Sequence, residues 1–230
     1  MPPRVHPLPA LVRADLAKAA QPSRAEGMRA YLKSEMPCHG LTAAVMRKIV
    51  RTRAAEHPVR TLPEWERAAL TLWRGAAFRE ERHAAIEFIR LRSFRPYRVI
   101  AAVPTFEEMI VSGAWWDLVD PVATHVLGDV LEDEPRRTAA VMRRWSRDAD
   151  MWKRRSSILC QVGFKARTDL SLLYDCIEPN LADRQFFIRK AIGWALRAHA
   201  WTDPREVERY VRANRTRLSS LSAREALKNL

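Results

Sequence analysis

Phe186-Phe187-Ile188-Arg189-Lys190-Ala191-Ile192-Gly193-Trp194-Ala195-Leu196-Arg197 sets Ile188, Ile192, Ala195 and Leu196 at steps of four, three and one. That recurrence marks one buried face of an α-helix. A second run around Ile86, Phe88 and Ile89 repeats it, and Ala, Leu, Arg and Glu dominate the chain between. These residues favour helices. Alternating strand patterns closed by hairpin turns are absent. The spacing therefore predicts an all-α protein.

Breakers divide the chain into many helices, expected to run from roughly 8 to 17 residues. Pro22-Ser23, Pro63-Glu64, Pro104-Thr105 and Pro204-Arg205 read as helix starts, where proline is tolerated in the first turn. Phe78, Trp116, Trp152 and Phe187 each open a predicted helix, at spacings of 38, 36 and 35 residues. This period suits a solenoid of stacked antiparallel helix pairs of HEAT-like type, with a concave face used for binding. The expected organisation is a proline-rich, disordered lead-in over residues 1–9 and one helical-repeat domain over 10–230.

Counting from each opening aromatic, Asp120 lies at +4, Arg155 at +3 and Trp194 at +7. Positions 0, +3, +4 and +7 share one helical face. If the helices stack in register, Trp116, Asp120, Arg155 and Trp194 converge. Trp115 and Asp117 then point elsewhere and pack. Trp65, Trp73, Trp145 and Trp201 are expected in the core or at helix junctions.

Forty Lys and Arg stand against 27 Asp and Glu, a formal charge of +13. The sequence pI is near 10.5, the electrostatic footprint of a nucleic-acid binder. The densest basic run, residues 135–167, includes Arg136, Arg137, Arg143, Arg144, Arg147, Lys153, Arg154, Arg155, Lys165 and Arg167. On one face these neutralise phosphates independently of sequence. Together with the solenoid they predict a basic concave face.

Other classes recede. Glycine occurs seven times, with no GxGxxG or GxxxxGK[ST] loop to cradle a phosphate. Cys38, Cys160 and Cys176 are far apart and no CxxC occurs, so neither a disulfide framework nor a zinc site is indicated. Cys38-His39 reads as loop packing. No leader or membrane span is expected, and the setting is read as reducing, intracellular and cytoplasmic.

Asp120 is the sharpest chemical candidate. Its plain alternative is a helix-surface carboxylate paired with an arginine. Beside a tryptophan and a basic run, it could instead face the oxocarbenium-like sugar formed as an N-glycosidic bond breaks.

Three stretches together resemble the DNA alkylation-repair glycosylases of the AlkD type. They are Trp115-Trp116-Asp117-Leu118-Val119-Asp120, Trp152-Lys153-Arg154-Arg155-Ser156-Ser157-Ile158, and Phe186 through Arg197. Tyr31 through Leu41 and Leu221 through Ala226 are similar too. The resemblance spans about residues 25–230. The proline-rich lead-in falls outside it.

The resemblance implies that Asp120 is catalytic, that Trp116 and Trp194 flank the lesion, and that Arg155 lies at the DNA backbone. Lys153, Arg154, Lys190 and Arg197, in the same motifs, are expected backbone contacts. It further implies excision of cationic alkylpurines such as 3-methyladenine and 7-methylguanine from double-stranded DNA. No metal, cofactor or lyase step is implied, and a monomer is expected. Two other classes stay open: a non-catalytic repeat protein that binds damaged or branched DNA, and a scaffold for an acidic protein.

Overall fold

The computed structural model describes residues 6–230, so the first five residues of the expected lead-in lie outside the described residues. The described residues contain 14 α-helices and no strand. They fall into two compact units, divided at Arg98 and Val99.

In the first unit, α1 (Leu8–Lys18), α2 (Pro22–Leu32), α3 (Ala43–Glu56), α4 (Leu62–Arg74) and α5 (Arg79–Arg90) follow one another. A 3-10 segment, Arg92–Tyr97, closes it. Helix α1 begins inside the stretch assigned to the lead-in, and Leu8 and Pro9 are buried. It packs on α3, α4 and α5, while α4 packs on α5. The core holds Trp65, Trp73 and Phe88, each nearly or fully buried.

Two buried carboxylates knit this unit together. Glu80 accepts the backbone N–H groups of His39, Gly40 and Leu41 at 2.8–3.1 Å. Glu81 accepts the N–H of Ala77 and meets the His39 ring, which stacks on Phe78 at 3.9 Å. Gly40 sits at φ +84°, and a Cβ there would lie 2.1 Å from the Gln21 carbonyl oxygen, so only glycine fits.

The second unit runs through α6 (Val103–Gly113), α7 (Trp116–Pro121), α8 (Gly128–Asp133) and α9 (Pro135–Trp145). It continues with α10 (Met151–Leu159), α11 (Leu170–Ile177), α12 (Phe186–Ala200), α13 (Pro204–Ala213) and α14 (Ser220–Ala226). Helix α10 packs on α9 and α12, and α12 packs on α13 and α14. Asp150, Asp169, Asp203 and Ser219 cap α10, α11, α13 and α14 by accepting first-turn N–H groups. Each such cap contributes about 1 kcal/mol.

The α-helices run from 6 to 15 residues, shorter at the low end than the periodicity predicts. The shortening has a local cause. Between α7 and α8 the helix widens into a π-turn segment, Val122–Leu127, directly after Pro121. Proline has no N–H to donate and its ring crowds the preceding turn, which favours a local change of register.

Candidate active site

The second unit builds the site from its helix starts. Ala114 ends α6 in a left-handed conformation (φ 41°) and Trp115 is extended, so the chain turns sharply before Trp116 enters α7. The Trp115 ring packs on Trp152 at 6.3 Å and on Phe187 at 5.2 Å; Trp152 and Phe187 lie 5.0 Å apart. One aromatic cluster thereby pins the starts of α7, α10 and α12. With the starts pinned, side chains one turn further along converge.

Asp120 and Arg155 meet there. The guanidinium donates from Nε to Oδ1 and from Nη2 to Oδ2, both at 2.7 Å. Its Nη1 donates to the Phe187 carbonyl at 2.5 Å, and its plane lies 5.7 Å from the Phe187 ring. The side chains are 5% and 13% exposed, so this is a buried, bidentate pair. Burial pushes the Asp120 carboxyl above the usual carboxylate range; the hydrogen bonds and charge of Arg155 oppose that push, and Asp117 adds to it.

The open side of Asp120 borders a cleft of about 400 Å³. Trp116 and Trp194 line it, as do Pro121, Thr124, Val162 and Gly163. Both indoles are half-buried. Trp116, Asp120 and Trp194 thus share one cleft, and Arg155 stands behind the carboxylate.

Two lining residues were not among those the sequence singled out for the site. Asp117, expected to face elsewhere, borders the same cleft. His125 borders it too, exposed, five residues after Asp120. An α-helix rotates a residue at i+5 by about 140° from residue i. The wider π turn reduces that offset, so Asp120 and His125 reach one cleft. The only sequence signal was Pro121 after Asp120, which carries no π register by itself.

The expected backbone-binding cations are all held within the protein. Lys153 lies 2.6 Å from both Glu107 and Asp148, and 5.5 Å from the Trp145 ring. Arg154 pairs with Asp183 at 3.0 Å and donates to the carbonyls of Asp148 and Ala149. Lys190 and Arg197 share Glu225, at 3.0 and 2.7 Å. By contrast, Arg136, Arg144 and Lys165 are exposed.

Helix α12 can carry Trp194 this close to α14 because Gly193 precedes it. A Cβ there would lie 2.4 Å from the Glu225 Cβ and 2.9 Å from the Ser222 carbonyl oxygen. Trp65, Trp73 and Trp145 are buried. Trp201 sits at the junction after α12 but is 76% exposed. Cys38, Cys160 and Cys176 are buried, and burial raises the thiols of Cys160 and Cys176. No helix of the described residues is long and apolar enough to cross a membrane.

An all-helical fold of stacked pairs, with a carboxylate–guanidinium pair beside two indoles, defines a helical-repeat protein with an aromatic, acid-bearing cleft. The model of the DNA alkylation repair enzyme family matches residues 12–230, and the chain belongs to that family. It is similar to a solved structure described as "Predicted DNA alkylation repair enzyme from Enterococcus faecalis". The two share 25% identity at a TM-score of 0.77, over 92% of this chain and 96% of that one. No curated protein sequence matches it closely enough to count as a relative. The family places the protein in the repair of alkylation damage to DNA.

Proposed function

We propose that the protein is a monofunctional DNA glycosylase that hydrolyses the N-glycosidic bond of cationic N3- and N7-alkylated purines, leaving an abasic site. One observation carries this: the Asp120 carboxylate, held at both oxygens by Arg155, faces a cleft walled by Trp116 and Trp194. An alkylated purine already carries positive charge, so it can leave without a general acid. The indole faces attract that cation, by about 0.5–2 kcal/mol each. As the bond breaks, charge moves to the sugar, where the carboxylate acts. At 4 Å and an effective dielectric of 20 its attraction is about 4 kcal/mol, roughly a thousandfold in rate.

Arg155 acts through Asp120. It fixes the rotamer of the carboxylate and keeps a buried acid ionised, so no reorganisation is needed when the sugar charge develops. This chemistry uses no metal or cofactor. Double-stranded DNA is the partner, met by a basic concave face of HEAT-like repeats, and the protein acts as a cytoplasmic monomer. The reaction is tested by incubating the protein with methylated DNA and measuring free 3-methyladenine and 7-methylguanine. Release by wild type and its loss in Asp120→Asn support the reading; no release, or equal release by both, sinks it.

A non-catalytic protein that binds damaged DNA is the second reading. It is favoured by the closed Asp120–Arg155 pair, since both carboxylate oxygens are already engaged. Binding without base release, with Asp120→Asn binding like wild type, would establish it.

A further inference from the structure

Trp201 ends α12 in helical geometry, at φ −64° and ψ −19°, with 76% of its surface exposed. A single exposed apolar side chain needs no explanation. Its register does. Trp201 follows Trp194 by seven residues, so on a helix the two indoles lie on one stripe about 20° apart in rotation. They stand roughly 10 Å apart along the axis. Arg197 lies between them on that side of the helix, its side chain 23% exposed and its guanidinium paired with Glu225. Exposed Arg205 follows on the first turn of α13. Alternating indoles and guanidinium groups along one helix face provide flat surfaces for bases and charge for the phosphates between them.

We propose that Trp201 is a second stacking platform for DNA, receiving the face of an unpaired base roughly three base steps from the nucleotide in the cleft. The proposal rests on the DNA-binding part of the function proposed above. The distance follows from the helical rise between the two indoles and the rise of about 3.4 Å per nucleotide of a DNA strand. The specificity for an unpaired base follows from access. In paired duplex the base faces are covered by their neighbours, and an indole stacks only where one has been uncovered. The cleft residue and the platform then read different features: a cationic base at Trp194, lost stacking at Trp201.

The test compares wild type, Trp201→Ala and Trp201→Phe on two duplexes, one fully paired and one with a single unpaired nucleotide, by fluorescence anisotropy. The expected loss for Trp201→Ala is about fivefold or more on the unpaired duplex and under twofold on the paired one. Trp201→Phe, which keeps an aromatic face, retains most of the affinity. Equal binding by all three proteins, equal loss on both duplexes, or Trp201→Phe as weak as Trp201→Ala overturns the platform. Thermal melting of the variants confirms that an exposed position was changed without loss of fold. Base release is measured separately, under single turnover at saturating protein. If wild type releases no base but Trp201→Ala loses binding, the platform stands and the glycosylase reading fails. If wild type releases base and Trp201→Ala binds like it, the reverse holds.

Discussion

Residues 1–98 hold 19 Lys and Arg against 9 Asp and Glu, a formal +10, whereas residues 99–230 hold 21 against 18, a formal +3. The first unit therefore supplies most of the chain's net charge, and the second supplies the cleft. Both units pair carboxylates with cations, as Asp15 with Arg53 in the first, and the first also buries two against loop backbone. In the first unit Glu80 and Glu81 are buried against backbone N–H groups and hold loops to α5. In the second, Asp148, Asp183 and Glu225 hold Lys153, Arg154, Lys190 and Arg197. A basic pI thus reports on one half of this chain more than on the other. If the proposed function holds, affinity for phosphate and chemistry on the base should respond to different substitutions.

The largest effect is expected at Asp120. Asp120→Asn should slow base release about a thousandfold, while DNA affinity, set elsewhere, changes little. A single-turnover assay beside an equilibrium binding curve separates the two. The wild-type rate should also fall with acid at a higher pH than an ordinary surface aspartate would give, because burial raises this carboxyl. The carboxylate is the active form, so the rate is lost as pH drops through the raised value and is flat above it. A profile that stays level down to the usual aspartate range would remove Asp120 from the chemistry.

Next comes Arg155. Arg155→Ala leaves a buried carboxylate without its partner, which costs about 3 kcal/mol of stability. A lowered melting temperature is the expected readout. An unchanged melt would mean that the pair does not hold α7 to α10.

In the first unit, Lys48 and Arg51 lie three apart on α3 and are both exposed. If they contact phosphates, the double change Lys48→Ala and Arg51→Ala should reduce the slope of log affinity against log salt by about 1.8. The single-turnover rate at saturation should stay as it was. A fall in that rate would break the division between the two units.

The smallest effect is expected at Glu225, which holds both Lys190 and Arg197. Glu225→Gln releases two cations on the helix that carries Trp194, and DNA binding should tighten a few-fold at low salt. Binding that is unaffected would show that these two side chains never face the DNA.

Much of this architecture was legible in the residues. The aromatics Phe78, Trp116, Trp152 and Phe187 do open helices: each occupies the cap or one of the first two positions of its own. Counting from them singled out Asp120, Arg155 and Trp194, because a helix converts spacing into direction. The count did not reach His125, which borders the cleft because the π segment changes the angle per residue. It failed at Asp117, which is about 100° from Trp116 but only three residues from Asp120, and therefore shares the carboxylate's side of α7 and borders the cleft. Charge was the least legible. A run of arginines says nothing of the carboxylates that other helices bring to them, such as Asp183 to Arg154 across 29 residues.

Residue order alone sets the helical class, the places where helices begin and the side chains available to a site. Those are local properties, set by periodicity and capping within one or two turns. Packing between helices is what brings Arg155 onto Asp120, gives Lys190 and Arg197 to Glu225, and leaves Trp201 exposed. Such pairings join elements about 30 residues apart, and they depend on which helix faces pack together. No local periodicity encodes that choice.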